Sequence, residues 1–510
     1  MLSLPPTPTP VHFRPLTEWR NRHGNVTQRI LGFYDLENRP QTNDIAGDFR
    51  AAALTLSMMI DAAASAGVRL RGLGGTWSLS TCAAADGYVV NTKPLRMRSR
   101  LPEPMVSSAY RGSFRDLLLV QCGTSIQKLN DDLRAMRRSL KTSGASNGQT
   151  IVGAMSTGTH GSRYAFGAIQ DYVVAMHIAV GGGRHIWLER ASAPVTSSLF
   201  INRLGATLVR DDAIFNAAVV SFGSMGFIHA VVIETEPLYV LEMSRFRVPI
   251  DGALRRALTT LDLSAVRLPH PDEAPLHFEA LVNAHDIDGG AYITTMYRRP
   301  GDTPYTPPST DAPAFGPGDD ILGVIGAVAN LLPGPVPAII NGLASQFYKT
   351  TERPVWGTHG EIFSGTDVRH GATSTEIGVA LEDTAAALEV TLEAERAAGP
   401  FAGFIAMRFV RGSDATLAFT RFPMTCTIEL PGAETRDTLR FFEATFNGLE
   451  RAGIAHTLHW GQVGNYSPQK VLSMYGPARV DSWKRARAFL LDEPARAVFA
   501  NDFVKMCGLG

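Results

Sequence analysis

The amino-acid sequence predicts an α+β protein of two or three domains, and its length and its periodicity both indicate this. The chain has 510 residues, which is more than one compact hydrophobic core usually holds. Up to about residue 240, short apolar runs of strand length alternate with segments of helical periodicity, as in α+β domains. From about 241 to 458 the pattern changes, and we predict a second domain built on an antiparallel sheet flanked by helices.

The first domain is expected to open on an irregular segment. Residues 1–40 are rich in Pro and then in Arg and Asn, a composition typical of loops. Residues 49–67 repeat apolar side chains at helical spacing, so they predict an amphipathic helix. The other elements expected in this part are strands at 68–70, 88–91, 117–121, 173–180 and 230–233, and helices at 126–140 and 212–219.

The second domain is expected to begin with strands at 244–248 and 291–297 around a Pro-rich stretch. Residues 299–318 are dominated by Pro, Gly, Ser, Thr and Asp, which predicts a loop. The elements expected further on are a helix at 385–398, strands at 403–410 and 425–430, a turn at Pro431 and Gly432, a helix at 436–451, and terminal helices within 483–494 and 499–510.

Residues 321–348 form the longest apolar tract of the chain. Pro333, Pro335 and Pro337 interrupt it, and its uninterrupted part is shorter than the roughly 20 residues that a membrane span needs. We therefore expect helices that pack over or beside an apolar cavity. A peripheral membrane contact is the alternative.

Composition excludes several classes of function. Lys plus Arg and Asp plus Glu number 48 each, which gives no electrostatic reason to expect a nucleic acid or an anionic membrane as partner. The four cysteines are scattered without a CxxC pair, so we expect neither a disulfide framework nor a metal site. The first ten residues, MLSLPPTPTP, lack the basic and apolar regions of a signal peptide, and a cytoplasmic location is expected.

Two Gly-rich segments are the most informative features. The first is RGLGGTWS (71–78), and the second runs from SGASNGQTI (143–151) into GAMSTGTHGS (153–162). Glycine lets the backbone approach a ligand closely, and amide and hydroxyl donors suit a pyrophosphate. One such run alone is more often an ordinary loop. A Rossmann site is not indicated, because no GxGxxG is followed directly by a helix.

Together with HWGQ (459–462), these segments resemble the FAD-linked oxidases of the vanillyl-alcohol oxidase / p-cresol methylhydroxylase (PCMH) type, nearest the alditol, aldonolactone and flavin-type cholesterol oxidases. The resemblance implies a PCMH-type FAD-binding domain over 1–240, a substrate (cap) domain over 241–458, and a C-terminal segment, 459–510, that returns to the FAD domain. The FAD contacts that it implies are Gly72, Leu73, Gly74, Gly75, Thr76, Trp77, Ser78, Gly148, Thr150, Gly153, Ser156, Thr157, His160, Gly161 and, after FGSMGF, Ile228.

Three positions depart from the family pattern. Trp77, or Gly75 in another register, stands where many members bond a His to the flavin, so non-covalent FAD is expected. Gln462 stands in place of the Lys of HWGK. On the strand FIAMR (404–408), Arg408 matches the family's E-x-R pattern but Ala406 replaces its Glu. Glu429 could supply a carboxylate instead, although strand alternation leaves its direction open.

The resemblance implies oxidation of an alcohol or a related C–H bond by hydride transfer to flavin N5, with O2 or another acceptor. His459 is our candidate acid/base or orienting group, Arg408 would hold a substrate oxygen, and Gln462 would contact the flavin. The lost polar groups and the apolar tract favour a bulky, fairly apolar substrate, such as a secondary-metabolite or sterol-like alcohol. The alternatives are an aldonolactone-type dehydrogenase and a non-redox isomerase or cyclase. Further candidate acid/base groups are His359, Glu361, His456 and Tyr466.

Overall fold

The computed structural model describes residues 1–38, 44–84, 86–308, 320–348, 350–364 and 371–510. It confirms the predicted α+β class. Its strands are β1 (Val11–Arg14), β2 (Glu18–Arg20), β3 (Thr27–Arg29), β4 (Gly32–Leu36), β5 (Leu70–Leu73), β6 (Tyr88–Asn91), β7 (Arg98–Arg100), β8 (Leu117–Gln121), β9 (Arg138–Ser139), β10 (Val173–Gly181), β11 (Arg184–Glu189), β12 (Thr207–Arg210), β13 (Phe227–Glu234), β14 (Glu236–Pro237), β15 (Tyr239–Val248), β16 (His277–Val282), β17 (Ala291–Pro300), β18 (Val355–Thr358), β19 (Ala372–Ala380), β20 (Ile405–Arg411), β21 (Met424–Ala433) and β22 (His456–Leu458).

The helices are distributed along the whole chain and flank the sheets. Their bounds are α1 (Ile45–Ser65), α2 (Ile126–Ala135), α3 (Ile151–Thr157), α4 (Ser198–Leu204), α5 (Asp212–Ala218), α6 (Gly252–Thr260), α7 (Asp320–Leu331), α8 (Val336–Phe347), α9 (His359–Ile362), α10 (Thr384–Ala398), α11 (Arg436–Arg451), α12 (Pro468–Leu490, kinked at Gly476), α13 (Glu493–Val498) and α14 (Asp502–Met506).

The first part of the chain carries two mixed sheets. One has the order β1-β4-β6-β5 and the other β12-β11-β10-β13-β8-β7. Helix α1 contacts β10 and buries its apolar side chains, among them Phe49, Leu56 and Ile60. The first Gly-rich segment begins within β5, at Arg71, and the second contains α3. The sheets therefore bring both segments to one region.

A single antiparallel sheet of eight strands, in the order β18-β15-β17-β16-β20-β21-β19-β22, organises the second part. Alternation along its central strands separates two kinds of side chain. Met407 and Ile428 are buried in the main hydrophobic core, whereas Arg408 and Glu429 line a cavity. Because β22 ends at Leu458, this sheet also delivers the HWGQ segment to that cavity.

The C-terminal helices pack against the first part of the chain. Helix α12 contacts α5, and α13 contacts α1. The indole Nε1 of Trp483 in α12 donates to the carbonyl of Val220 over 3.0 Å. The domain boundaries at 240 and 458 stay a prediction, and they fall close to the start of β15 and the end of β22.

Three expectations about local structure are wrong. The irregular segment expected at 1–40 contains β1 to β4, whose short alternation, as in the buried Tyr34 and Leu36 of β4, is easily missed among prolines. The helix expected to reach residue 140 ends at Ala135, because Arg137 has a φ of 59°. The turn expected at Pro431 and Gly432 lies within β21.

The apolar tract folds as α7 and α8, with Pro333 and Pro335 between them. Val336 and Ile340 pack with Ala402 and Ala433 in a small apolar cluster beside the eight-stranded sheet. In the part of the chain that the structure describes, no helix combines the length and apolar character that crossing a bilayer requires. The loop expected at 299–318 begins after β17, and its residues 309–318 lie outside the described ones.

Candidate active site and cofactor cavity

A cavity of about 450 Å³ lies where the two Gly-rich segments meet the eight-stranded sheet and HWGQ. Most of the residues expected at a cofactor or catalytic site line it. They are Gly72, Leu73, Gly74, Gly75, Thr76, Trp77, Ser78, Thr150, Gly153, Ser156, Thr157, His160, Ile228, Arg408, Glu429, His459 and Gln462.

Gly148 and Gly161 do not line the cavity, although they were expected to contact the cofactor. At each position a Cβ would clash with a neighbouring side chain, which is a packing reason for glycine. A Cβ on Gly148 would lie 2.3 Å from Cζ2 of Trp77, and one on Gly161 would lie 2.4 Å from Oγ1 of Thr142. These glycines therefore let the loops behind the cavity wall pack closely.

The first Gly-rich segment is held against the second. A Cβ on Gly74 would lie 2.1 Å from Oγ1 of Thr150, so only a residue without a side chain fits there. Thr76 has a φ of 59°, a left-handed conformation that is uncommon for threonine and marks a constrained turn. The two segments thus form one continuous wall.

A loop near the N-terminus fixes the outer side of the first segment. Asn21 and Asn25 donate from Nδ2 to the carbonyls of Ser78 and Leu79, each over 2.9 Å. The amide of Arg22 donates to the carbonyl of Thr76 over 3.0 Å. The stretch WRNRHGN (19–25), which has little sequence signal of its own, therefore positions the first Gly-rich segment.

A cluster of charged side chains lines the cavity on the strand side. Arg408 donates from Nη2 to Oε1 of Glu376 over 3.1 Å and also to Oε2 of Glu429. The amide of Gln462 bridges the same two carboxylates, at 3.3 Å from Oε2 of Glu376 and 3.1 Å from Oε1 of Glu429. The strand register brings the two carboxylates together, because Glu376 on β19 is the direct partner of Glu429 on β21.

Glu376 was not expected from the sequence. It is 2% exposed and contacts three of the groups that were expected. The available signal was a single carboxylate in the run ATSTEIGVA of β19. Recognising it requires the pairing of β19 with β21, which the sequence alone does not give.

His160 completes the cluster. Its Nδ1 faces the carbonyl oxygen of Gly161 and its Nε2 faces Oε1 of Glu376, each over 2.9 Å. A carbonyl and an ionised carboxylate only accept hydrogen bonds. The His160 ring therefore faces an acceptor on each side and contacts the Glu376 carboxylate directly.

Burial and the neighbouring charges shift the pKa values of the two carboxyl groups in opposite directions. Burial raises the pKa of a carboxyl group, but His160 and Arg408 outweigh this at Glu376 and hold its pKa well below the usual range. At Glu429 burial dominates and the pKa is raised, although Arg408 opposes it. Burial would lower the pKa of Arg408, and the two glutamates more than reverse this. Two neighbouring carboxyls with divergent pKa values are typical of acid/base sites.

His459 lies beside this cluster, with its ring centroid 6.1 Å from that of His160. Burial lowers its pKa to about 4, so the ring is neutral above that pH. Its Nδ1 accepts a hydrogen bond from the amide of Gly461 over 3.1 Å. The proton of the neutral ring is therefore on Nε2, which suits a hydrogen-bond donor better than a base.

The strand pairing also explains the substitution at Ala406. This residue is the direct partner of Glu429 across β20 and β21, so the Glu429 carboxylate occupies the space beside it.

The other candidate acid/base groups do not line the cavity. They are His359, which contacts Ser143; Glu361, which pairs with Arg134; His456, which contacts Lys470; and Tyr466, whose hydroxyl donates to the carbonyl of His459.

A further part of the cavity wall is apolar. Ile340 and Leu343 of α8 line it together with Tyr348 and Phe404. The helix expected to lie beside an apolar cavity is thus found there. The cavity combines a charged cluster, a Gly-rich wall and an apolar wall.

Residues 53–189 match the family described as "FAD binding domain". This part of the chain carries an FAD-binding domain. FAD is its cofactor, and the wall formed by the Gly-rich segments, which begins within the matched residues, is the part of the cavity that suits it.

Curated relatives cover part of the chain. A segment of 201 residues is 26% identical to L-gulono-1,4-lactone dehydrogenase of Mycobacterium tuberculosis, and covers 39% of this chain and 40% of the relative. A segment of 152 residues is 28% identical to D-arabinono-1,4-lactone oxidase of Debaryomyces hansenii, with coverage of 30% and 24%. The chain thus spans well under two thirds of the length of these relatives.

Solved structures resemble the whole chain. Cholesterol oxidase from Brevibacterium sterolicum superposes with a TM-score of 0.68 at 13% identity, over 99% of both chains. Xylooligosaccharide oxidase from Myceliophthora thermophila gives 0.61 at 13% identity, over 96% of this chain and 95% of that one. At such low identity the likeness shows a shared fold.

The polar atoms of the cavity fit a polar cofactor. Trp77 Nε1 and Gln149 Oε1 are buried, and neither has a hydrogen-bond partner among the described residues. Both residues line the cavity. A buried donor and a buried acceptor without partners cost free energy unless a ligand satisfies them, and FAD carries groups of both kinds.

We expect acid precipitation of the purified protein to release its yellow colour into the supernatant. The expectation is that Trp77, or Gly75 in another register, stands at the position of the flavin-linking His, and neither residue forms that bond. The measurement is the absorption spectrum of the pellet and the supernatant. Colour that stays with the pellet would show a covalent link and contradict the expectation.

We expect Arg408→Met to destabilise the fold by about 3–5 kcal/mol at pH 8, because it removes the cation that Glu376 and Glu429 share in a largely buried site. The depressed pKa of Glu376 stabilises the wild type above the ordinary glutamate pKa, and this contribution is lost as the pH falls through the pKa of the folded state. That loss lies below pH 5; between pH 8 and pH 5 the difference should shrink because the two carboxyls of the variant, whose pKa is raised by burial and no longer lowered by Arg408, take up protons. Urea unfolding at both pH values measures it.

Arg440→Met is the matched control for this measurement. The Arg440 side chain is 60% exposed and pairs with Asp437 on the surface, so its loss should cost less than about 1 kcal/mol at either pH. An equal loss in both variants, or a loss that is independent of pH for Arg408→Met, would contradict the expectation.

Proposed function

We propose that the protein is an FAD-dependent oxidoreductase that oxidises a CH–OH group of a small molecule. The observation that carries this proposal is that the cluster of Glu376, Arg408 and Glu429 faces the same cavity as the Gly-rich segments. The names of the two curated relatives, a lactone dehydrogenase and a lactone oxidase, support the same reaction class.

When bound along the Gly-rich segments, FAD would supply the hydride acceptor for the carbon that bears the hydroxyl. Glu429 receives the hydroxyl proton, so that the substrate leaves as a carbonyl compound. Its raised pKa makes it a better proton acceptor than an ordinary carboxylate. Arg408 and the Nε2 proton of His459 orient the substrate oxygen, and Gln462 fixes the carboxylate of Glu429.

Glu376 and Glu429 have different roles in the proposed reaction. Glu376 is held ionised between His160 and Arg408, and so it is a poor proton acceptor. Its function in this proposal is to keep Arg408 and His160 in place. Glu429 accepts fewer hydrogen bonds from cations and retains more capacity for a proton.

The substrate that we propose is fairly bulky and partly apolar. Ile340, Leu343, Tyr348 and Phe404 supply the apolar wall of the cavity. Such a wall favours a substrate with an apolar body beside its hydroxyl, such as a sterol-like or secondary-metabolite alcohol, because removing apolar surface from water contributes about 25 cal/mol per Å².

The acceptor for the returning electrons is proposed to be O2, with hydrogen peroxide as the product. Reduced protein that stays reduced in air for minutes would favour the dehydrogenase alternative. Bound flavin that no alcohol bleaches would favour a non-redox role.

The buried thiols of Cys82, Cys122, Cys426 and Cys507 support a reducing, cytoplasmic location.

We expect Glu429→Gln to lower kcat by about 100- to 10,000-fold, the usual effect of losing a positioned base. A base works in its ionised form, so wild-type kcat/KM should fall as the pH drops through the raised pKa of Glu429. The variant should lose this inflection and keep its flavin spectrum. Peroxide formation and flavin bleaching with a panel of alcohols, from pH 4.5 to 9, measure both effects.

Glu361→Gln is the control, because Glu361 lies outside the cavity. It should leave kcat and the pH profile unchanged. Glu429→Gln with a kcat within threefold of the wild type would rule out Glu429 as the base.

We expect Leu343→Gln to raise KM for a bulky apolar alcohol about tenfold, since it removes roughly 1.4 kcal/mol of apolar contact. KM for a small polar alcohol should change little. Leu331→Gln is the control, because Leu331 is 81% exposed at the end of α7 and lies outside the cavity lining. Equal effects on both alcohols would contradict the proposed apolar substrate.

A further inference from the structure

Arg71 is a buried guanidinium in the wall of the cofactor cavity. It is the second residue of β5, is 4% exposed, and lines the cavity. Its Nη1 donates to the carbonyl of Gly223 over 3.3 Å, and its Nη2 donates to the carbonyls of Cys82 and Phe222. Burial lowers its pKa to about 10, so it is still charged at neutral pH.

In the part of the chain that the structure describes, no carboxylate lies within 4.0 Å of Arg71. The titratable neighbours that influence the pKa of Arg71 are the buried thiol of Cys82, which raises it, and Arg487, which is also 4% exposed, has the same sign and lowers it. Arg487 donates to the carbonyls of Ser224 and Arg496, over 3.0 and 2.8 Å. Buried charges are normally paired, because each unpaired one costs several kcal/mol. Among the described residues, this wall therefore carries positive charge that no carboxylate pairs with.

The backbone around Arg71 is shaped to hold it. Phe222 and Gly223 have φ values of 52° and 69°, two successive left-handed residues, of which Phe222 is strained. In this conformation both of their carbonyls accept from Arg71. A Cβ on Gly223 would lie 3.2 Å from Cζ of Arg71. The FGSMGF turn thus keeps the guanidinium at the cavity wall.

We propose that Arg71 supplies the counter-charge for the diphosphate of FAD. The diphosphate brings two negative charges into the cavity, while the Gly-rich segments offer it neutral backbone donors. A fixed cation in a buried wall attracts an anion more strongly than it would in water. Arg71 was not among the cofactor contacts expected from the sequence. The proposal concerns the retention of FAD, so its failure would leave the proposed oxidation untouched.

Titration of the apoprotein with FAD, ADP and adenosine tests this proposal, using Arg71→Gln and Arg71→Lys. Gln keeps hydrogen-bond donors without the charge, and Lys keeps the charge. We expect Arg71→Gln to raise Kd for FAD and ADP at least about tenfold and to change Kd for adenosine less than about twofold. Arg71→Lys should stay within about threefold of the wild type. Kd for FAD should also depend less on salt in Arg71→Gln.

Arg69→Gln is the matched control, since Arg69 pairs with Asp86 and Asp502 and does not line the cavity. It should not change any of the three Kd values. Equal weakening of ADP and adenosine binding, or equal effects of Arg71→Gln and Arg71→Lys, would show a purely structural role and overturn the proposal. If Arg71→Gln does not fold, the comparison of ADP with adenosine binding to the wild-type apoprotein tests the proposal. ADP that binds no more tightly than adenosine, at low salt, would overturn the proposal.

Discussion

The ion cluster around Arg408 is the constraint on which the rest of the site depends. Two carboxylates on adjacent strands face each other directly, and the sheet tolerates them because one guanidinium lies between them. Removing Arg408 would take from both carboxylates the cation that they share, a loss larger than most single contacts contribute. The same arrangement that makes the site costly to disturb also gives its two carboxyl groups different affinities for a proton.

Most of the cavity lining could be predicted from the sequence, because the informative residues lie close together along the chain. RGLGGTWS and GAMSTGTHGS carry their signal within eight to ten positions, and nearly all of their expected contacts line the cavity. Gly148 and Gly161 show the limit of such reasoning. A glycine that a loop needs for packing looks the same in the sequence as one that a cofactor needs.

Glu376 and Arg71 could not be predicted for a different reason. Glu376 belongs to the site because it lies next to Glu429 and His160, which are 53 and 216 residues away in the sequence. The residues around Glu376 give no local signal of either contact. Arg71 looks like an ordinary strand residue until the turn at Phe222 and Gly223 is seen to hold it. The short strands β1 to β4 were missed because Pro-rich composition concealed four segments of three to five residues.

The position of β22 has a consequence for how the molecule matures. The last strand of the eight-stranded sheet leads directly into His459 and Gln462, and α12 then carries the chain back to α5. During synthesis, the Gly-rich segments therefore emerge about 300 residues before the groups that close the cavity. A ribosome-bound chain that already exposes the flavin-binding wall still lacks the residues opposite it. The C-terminal part also holds the end of the first Gly-rich segment, since the amide of Leu79 donates to the carbonyl of Gly461 over 2.7 Å, so the cavity is complete only when that part has folded.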